Sequence, residues 1–219
     1  MAIGWASSPM SGGTRSKAAS PTDKTDAVAG YSAAAPRLIP ALSTLDPVRL
    51  LAPVRDHLPT NGQSCLDIGA GTGTVARFLS DRGCAVTAME PAAPLRAHGA
   101  HTTGPRVTWI DSRLPDLPGI DGLFDSLLLS AVWHHVPPTD RAAAAVRLTE
   151  LCRPGGTLIM SLRHGPTPVD RPGWPCPPDA VHASFPGFTV LRQTEGASLQ
   201  PANIADGVTW TWLVIGRDQ

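Results

Sequence analysis

The feature that most constrains the fold is a short apolar run that passes directly into three alternating glycines. It occupies residues 64–73, Ser-Cys-Leu-Asp-Ile-Gly-Ala-Gly-Thr-Gly. Gly69, Gly71 and Gly73 can adopt backbone angles that are closed to other residues, and they let a ligand lie against the main chain where it turns into a helix. A strand, a glycine turn and a helix in this order predict an α/β fold that binds a nucleoside cofactor.

The spacing of these glycines separates two classes of cofactor. The dinucleotide fingerprint Gly-x-Gly-x-x-Gly places a phosphate over the helix N-terminus. Here the third glycine comes one position early, and Thr74 occupies the place where that fingerprint has glycine. Asp67, two residues before the first glycine, suits a ligand with a positive ammonium group, which the carboxylate can approach directly or through water. The motif therefore weakens the phosphate interpretation and favours a cofactor that carries an ammonium group.

At this motif the sequence resembles the class I S-adenosylmethionine-dependent methyltransferases of the small bacterial type, whose first motif is an acidic residue, x, Gly-x-Gly-x-Gly. A second apolar run, Cys84 to Met89, ends at Glu90. A carboxylate at that distance after the glycines can bind both ribose hydroxyls, although NAD-binding folds share this acid. After a third apolar run, Asp111 and Ser112 stand where family members usually contact the adenine amino group.

Two later segments extend the resemblance. The apolar run Leu123 to Ser130 is followed by Ala131-Val132-Trp133-His134-His135-Val136, which looks like the family's motif after the fourth strand. Leu151 to Met160 contains a Pro-Gly-Gly turn and resembles the family's helix, turn and fifth strand. The matches occur in the family's order over roughly residues 60–165, so together they are more specific than any single motif.

The resemblance implies an α/β fold of the Rossmann-like class I methyltransferase type, with a seven-stranded, mostly parallel sheet, an antiparallel last strand and helices on both faces. The implied cofactor is S-adenosyl-L-methionine, which leaves as S-adenosyl-L-homocysteine. The implied activity is methyl transfer to an O, N or C atom of a small-molecule or peptide-like substrate. The residues implied to bind the cofactor are Asp67, Gly69, Ala70, Gly71, Gly73, Glu90, Pro91, Asp111, Ser112, Ser130, Ala131 and His135.

Candidate catalytic and substrate residues follow the fourth and fifth predicted strands, at the sheet edge where open α/β folds bind ligands. His135 or His134 is a candidate base for a substrate proton, and the alternative is a wall residue bonded to backbone. Arg163 is a candidate for binding a substrate carboxylate at two points, and the alternative is a structural salt bridge. Trp133 either stacks on a ligand or packs in the core. The remaining candidate substrate contacts are Tyr31 and His164. No metal site is predicted.

Length and composition predict a single domain with a helical cover. The chain has 219 residues, 42% of them hydrophobic, which is enough to bury one good core. Residues 1–22 are predicted to form a disordered leader, residues 23–60 a helical lid, and residues 61–219 the cofactor-binding core. The predicted helices span 25–35, 46–57, 73–82, 91–99, 139–152 and 179–184; the predicted strands span 64–69, 84–89, 106–110, 123–130, 157–162, 188–193 and 208–215.

The charge of the chain and the pattern of its cysteines limit the kinds of partner that the sequence predicts. The formal net charge is zero and the basic residues are dispersed, which argues against a nucleic-acid partner. No apolar run is long enough for a membrane span, so we expect a cytoplasmic protein without a membrane partner. The four cysteines are scattered and are predicted to be buried free thiols. The sequence leaves open whether the protein is a monomer or a homodimer.

Two other functions remain open at this point. A nicotinamide oxidoreductase would use a similar strand, turn and acid, but would need a catalytic Tyr/Lys pair or its equivalent. Tyr31 is the only tyrosine, and Lys17 and Lys24 are the only lysines, all outside the predicted core. A non-catalytic S-adenosylmethionine-binding regulator or partner protein is the other alternative, because methyl transfer needs no universal catalytic residue.

Overall fold

The sheet determines where this fold can hold a ligand. The computed structural model describes Met1 and residues 26–219, and in that part seven strands form one sheet in the order β3-β2-β1-β4-β5-β7-β6. The strands are β1 Ser64–Ile68, β2 Ala85–Met89, β3 Val107–Ile110, β4 Phe124–Ser130, β5 Cys152–His164, β6 Phe188–Ala197 and β7 Thr209–Arg217.

Helices precede, connect and flank these strands. The α-helices are α1 Ala27–Ser43, α2 Pro47–Leu51, α3 Thr74–Asp81, α4 Ala93–Thr103, α5 Arg141–Leu151, α6 Pro178–His182 and α7 Pro201–Ala205. Short 3-10 helices span Ala52–His57, Gly104–Arg106 and Trp133–His135. Asp46 caps the second helix, because its side chain accepts a hydrogen bond from the Val48 N–H at 2.9 Å.

The strand directions confirm the predicted sheet. Strands β1 to β5 pair in parallel, whereas β7 pairs antiparallel with β5 and β6. The chain fills the sheet in one direction from β1 to β3 and in the other from β4 onward. Ligands bind at such a reversal point, beyond the carboxyl ends of the strands, which here means the ends of β1 and β4.

Both faces of the sheet are buried, as the alternation along β4 shows. Leu127 and Leu129 belong to a core cluster that includes Leu148 of α5. Leu128, between them, points to the opposite face and belongs to a second cluster that includes Leu79 of α3. All of these side chains are at most 1% exposed. Period-two side-chain alternation therefore supplies two apolar faces, each covered by helices as predicted.

The first helix is longer than predicted. The predicted helix ends at Ala35, directly before Pro36, and the residue before a proline disfavours helical angles. The structure instead continues α1 to Ser43, with both Pro36 and Pro40 inside the helix. Residues after the first proline still contribute to packing, since Leu38 is buried and Ile39 packs against the cluster that joins α1 to α4. Tertiary packing thus outweighs the local proline signal.

Other predictions have mixed outcomes. Residues 2–22 of the predicted leader and residues 23–25 of the predicted lid fall outside the described residues. The strand predicted at 157–162 extends over Cys152–His164, the one predicted at 188–193 extends to Ala197, and α7 was not predicted. The four cysteines are buried and free, as expected. Among the described residues, no helix combines the length and apolar character needed to cross a membrane.

Candidate cofactor and substrate site

A cavity of about 1120 Å³ lies at the carboxyl ends of the central strands. Its floor includes the glycine turn after β1, and its roof is formed by α1 and by residues 166–174, which we call the proline strap. Pockets for a single small ligand usually have volumes of about 300 to 1000 Å³. The cavity therefore has room for a cofactor and part of a second ligand.

Asp67 presents a buried carboxylate to this cavity. Its side chain is 2% exposed, and its Oδ2 has no hydrogen-bond partner among the described residues. Burial, followed by repulsion from Glu90, raises the pKa of Asp67 to about 7. An unpaired, buried carboxylate oxygen is costly, and a positively charged donor would relieve that cost. The observation therefore fits the ammonium-bearing cofactor that the sequence predicts.

Glu90 is fixed by the two loops that it joins. One carboxylate oxygen accepts the Gly71 N–H at 2.9 Å, and the other accepts the Ala92 N–H at 2.8 Å. The Arg96 guanidinium donates to the Glu90 carbonyl oxygen at 2.7 Å. Burial raises the pKa of Glu90, and the two backbone hydrogen bonds oppose that shift. Each carboxylate oxygen retains a second lone pair, so Glu90 can still accept two hydroxyl hydrogens from a ribose.

The glycine turn needs two of its glycines for different reasons. Gly69 has φ +68°, and a Cβ there would stand 2.6 Å from a methyl group of Val132. Gly71 has φ +57°, and a Cβ there would meet no atom within 4 Å. The first glycine permits close packing against the loop after β4, and the second leaves an open backbone surface on the cavity floor.

The loop after β4 contains a strained residue beside this floor. Ala131 has φ +62°, a left-handed conformation that is uncommon for a residue with a side chain. Its N–H donates to the Ser161 hydroxyl oxygen at 2.8 Å, and Ser161 lies beside Ser130 in the β4–β5 register. Strained backbone tends to persist where surrounding structure holds it at functional sites. Ser161 is not among the predicted site residues, because only the strand register brings it to Ala131.

His135 is joined to Tyr31 of α1 across the cavity. Its Nδ1 lies 2.7 Å from the Pro172 carbonyl oxygen, and its Nε2 lies 3.0 Å from the Tyr31 hydroxyl. A carbonyl oxygen only accepts, so Nδ1 carries the proton and the neutral Nε2 accepts from Tyr31. Burial lowers the pKa of His135 and raises that of Tyr31. The pair therefore holds a neutral imidazole with a defined tautomer.

His134 lies beside His135 in a different environment. The two rings are 4.0 Å apart, and the edge of His134 faces Trp210 at 5.9 Å. His134 is 4% exposed, and its Nδ1 has no hydrogen-bond partner in the described part of the chain. Burial lowers its pKa well below the usual value. Both histidines are therefore neutral near pH 7, and His135 is the one with a fixed hydrogen-bond chain.

Close contacts between α1 and the proline strap close the roof. A Cβ on Gly30 would overlap the Asp170 carbonyl oxygen, so this glycine permits the two backbones to meet. The Arg171 guanidinium carbon lies 5.2 Å from the Tyr31 ring centroid, and Arg37 lies 3.9 Å from the Asp170 carboxylate. The close approach of α1 and the proline strap therefore requires a glycine at position 30.

We expect Gly30→Ala to separate the proline strap from α1 without weakening the helix, because alanine favours helix over glycine by about 1 kcal/mol. Hydrogen exchange of the strap amides should be several-fold faster in this variant. Ala33→Val, which adds bulk at an exposed position of the same helix, is the matched control and should leave exchange unchanged. Equal exchange in Gly30→Ala and the unmodified chain would contradict this account of the roof.

The structure places several predicted site residues outside the cavity lining. Trp133 is fully buried against Phe185 and does not line the cavity, because its ring points into the core. His164 is held by the Thr211 hydroxyl at 2.8 Å, outside the cavity lining. Asp111 is exposed and paired with Arg96 at 2.8 Å. Ser112 and Gly73 also lie outside the lining; Ser112 donates to the Pro118 carbonyl oxygen, and Gly73 packs on Trp109.

Most of the predicted residues do meet at the cavity. The lining includes Asp67, Gly69, Ala70, Gly71, Glu90, Pro91, Ser130, Ala131, His134, His135, Tyr31 and Arg163. Trp210, in the strand predicted at 208–215, is half-exposed and also lines the cavity. Alternating aromatic residues in the last strand gave no indication of which face meets a ligand. Among the described residues, no group of three or more His, Cys, Asp or Glu is placed to hold a metal ion.

Comparison with known proteins agrees with this geometry. Residues 65–156 match a family model described as a methyltransferase domain. An uncharacterized methyltransferase of Geobacillus kaustophilus is 28% identical over 113 residues, which are 52% of this chain and 51% of that protein. The chain therefore spans about half the length of this relative.

Solved structures show the same fold over nearly the whole chain. One is the Burkholderia thailandensis 1,6-didemethyltoxoflavin-N1-methyltransferase with bound 1,6-didemethyltoxoflavin and S-adenosylhomocysteine. It is 21% identical, with a TM-score of 0.67 over 94% of each chain. The cyclase SpnF is 17% identical, with a TM-score of 0.67 over 89% of this chain and 97% of its own.

Proposed function

The chain belongs to the class I S-adenosylmethionine-dependent methyltransferases, and from this premise we propose that it transfers a methyl group to a small molecule. The acceptor atom is an oxygen, nitrogen or carbon of a small or peptide-like substrate. The observation that carries the proposal is the pairing of two acids at one glycine turn. Glu90 binds the Gly71 N–H, while the neighbouring Asp67 keeps a buried oxygen without a partner in the described residues.

These residues fit the cofactor in charge and hydrogen bonding. Asp67 would hold its ammonium group, Glu90 its ribose hydroxyls, and the open backbone at Gly71 its nucleoside. Bound there, S-adenosylmethionine supplies an electrophilic methyl group on a sulfonium, which leaves as a neutral thioether. The protein's contribution to rate in such a displacement is largely the alignment of the attacking atom with the methyl carbon and sulfur.

His135 and Tyr31 form the route for a substrate proton. A hydroxyl or amine that approaches the Tyr31 oxygen can give it a proton, while the Tyr31 hydroxyl proton passes to His135 Nε2. His135 then becomes an imidazolium whose Nδ1–H remains bonded to the Pro172 carbonyl oxygen. Because burial and two nearby arginines lower the pKa of His135, the imidazole is ready to accept at neutral pH.

Calorimetric titration with S-adenosylmethionine, S-adenosylhomocysteine and NAD in parallel tests the cofactor assignment. We expect micromolar binding of the first two and none of NAD. Binding of NAD alone would replace the proposal with a nicotinamide oxidoreductase. A methyl-transfer assay over a panel of small acceptors then tests the activity itself.

The affinity for S-adenosylmethionine is expected to rise with pH up to about 7. A raised pKa means that Asp67 is protonated in the folded chain below about pH 7, whereas a cationic ligand needs the carboxylate. Binding at pH 6 should therefore release close to one proton from Asp67. Calorimetry at pH 6 in two buffers of different ionisation enthalpy measures this number.

Asp67→Asn is the matched variant for this linkage. It should abolish the proton release at pH 6 and weaken binding at pH 8 by about 1 to 3 kcal/mol, the range for a lost charged hydrogen bond. Without cofactor, the carboxylate costs stability as pH rises from about 4 to 7, because only the folded state keeps the proton over that window. In Asp67→Asn the free energy of unfolding should no longer decrease between about pH 4 and pH 7 for this reason. An unchanged proton release in Asp67→Asn would remove Asp67 from the site.

A second candidate function is a non-catalytic or differently catalytic use of the same cofactor site. The observation in its favour is the likeness to SpnF, which is a [4+2]-cyclase, because a fold alone does not specify a reaction. Tight binding of S-adenosylmethionine with no methyl transfer to any acceptor, also in the presence of cell extract, would favour this candidate.

A further inference from the structure

Arg163 carries a positive charge that the protein itself does not neutralise by direct contact. Its Nε and one terminal nitrogen donate to the Pro166 carbonyl oxygen at 3.0 and 2.6 Å. The other terminal nitrogen donates to the Asn203 side-chain oxygen at 3.2 Å. Both partners are neutral. A guanidinium has five N–H donors, so donors remain on the terminal nitrogens for a further acceptor.

The other arginines that line the cavity either contact a carboxylate or are exposed to solvent. Arg37 and Arg171 both contact the Asp170 carboxylate, and Arg113 contacts Asp26 at 3.3 Å. Arg49 is exposed at the rim. Arg163 is half-buried and lines the cavity. Unlike Arg37, Arg171 and Arg113, it has no carboxylate within the ion-pair distance of 4.0 Å among the described residues.

The positive charge of Arg163 affects the pKa values of neighbouring residues in the cavity. It contributes to lowering the pKa values of His134, His135 and Tyr31. The exposed carboxylate of Asp206 opposes it at longer range, since it raises the pKa of Arg163 while burial lowers it. Asp206 is exposed and lies beyond ion-pair distance of Arg163, so solvent screens its charge. The histidines and Tyr31 are neutral, and the remaining N–H donors of the Arg163 guanidinium therefore favour an anion.

Flat aromatic surfaces surround this charge. The Arg163 guanidinium carbon lies 5.6 Å from the Trp210 ring centroid, and the same indole meets the His134 edge. Trp174 also lines this part of the cavity and is half-buried. Aromatic walls of this kind bind planar ligands through stacked or edge-to-face contacts. The aromatic side chains therefore favour a flat ligand, and Arg163 favours a ligand with a negative charge.

We propose, as an extension of the proposed function, that the methyl acceptor is a planar aromatic acid whose anionic group binds Arg163 and whose ring lies among Trp210, Trp174 and Tyr31. A carboxylate can bind two N–H groups of a guanidinium at once. Such an anchor holds the acceptor near the Tyr31–His135 pair, which takes the proton of the attacking hydroxyl or amine.

Matched acids and amides test this proposal by binding, without need of turnover. The probes are benzoate, indole-3-carboxylate and 2-naphthoate, each compared with its carboxamide, on the full chain saturated with S-adenosylhomocysteine. Calorimetry is expected to show that at least one acid of the panel binds about tenfold or more tightly than its amide, a difference of about 1.4 kcal/mol. Arg163→Gln should reduce this ratio to about one, whereas Arg163→Lys should keep part of it.

Arg113→Gln is the control, because this residue lines the same cavity but is paired with Asp26; it should leave the ratio unchanged. A purely structural Arg163 would alter the melting temperature but not the acid-to-amide ratio. The proposal is overturned if the ratio survives in Arg163→Gln, or if the chain binds S-adenosylhomocysteine but none of the acids more tightly than its amide. Failure to bind S-adenosylhomocysteine at all would overturn the proposed function instead.

Discussion

Replacement of Glu90 by alanine is expected to weaken S-adenosylmethionine binding by about 2 to 4 kcal/mol, or roughly 30- to 1000-fold. Two effects combine in this variant. The cofactor loses the carboxylate that would accept its ribose hydroxyls, and the Gly71 and Ala92 N–H groups lose their shared acceptor. The glycine turn and the loop after β2 are then no longer joined, so the floor is less well ordered before the ligand arrives.

Calorimetric titration with S-adenosylhomocysteine measures this loss, with far-ultraviolet circular dichroism to confirm that the variant is folded. Glu150→Ala is the matched control, because Glu150 is exposed and pairs with Arg147 on α5, away from the cavity. It should bind as the unmodified chain does. Glu90→Gln should fall between the two, since the amide keeps one acceptor oxygen. Full affinity in a folded Glu90→Ala protein would exclude Glu90 from the cofactor site.

Replacement of His135 by asparagine is expected to reduce kcat by about 10²- to 10⁴-fold, the usual contribution of a positioned base. The substitution removes the acceptor of the Tyr31 hydroxyl proton. Affinity for the cofactor should change little, because Asp67 and Glu90 would still bind it. In the unmodified enzyme the acid limb of the rate should lie below pH 6.5, because the lowered pKa of His135 keeps its ring neutral to lower pH.

Steady-state methyl transfer with an acceptor from the screen measures this effect. Tyr31→Phe should show a related but smaller loss, because water can partly replace the hydroxyl in the proton route. His101→Asn, at an exposed position on α4, is the control and should retain full activity. If His134→Asn loses activity while His135→Asn keeps it, the base is His134. If neither variant loses activity, the acceptor arrives without a proton to give.

The sheet and the placement of Asp67 and Glu90 at the glycine turn could be predicted, because they depend on local sequence. Alternating burial on β4 and the glycine turn after β1 are properties of consecutive residues, and strand order follows from the resemblance. Glu90 and Asp67 lie directly beside the turn that they serve. In contrast, Asp111 forms an exposed ion pair with Arg96, which no local pattern at that position indicates.

The part of the cavity around Tyr31, His135 and Trp210 could not be predicted, because it depends on contacts between distant segments of the chain. Tyr31 and His135 are separated by 104 positions, and they meet only because α1 lies along the cavity that the loop after β4 also lines. Trp210 and Trp212 have the same sequence pattern and both line the cavity, but Trp210 is half-exposed and Trp212 is 3% exposed. A preference for strand structure does not specify which aromatic residue of an edge hairpin will meet a ligand.

The hydrogen bond between Tyr31 and His135 links the roof of the cavity to its wall, because Tyr31 belongs to α1 and His135 follows β4. Under the proposed function, the proton route is complete only while α1 covers the cavity. We therefore expect an acceptor that is too large for the covered cavity of about 1120 Å³ to bind without reacting.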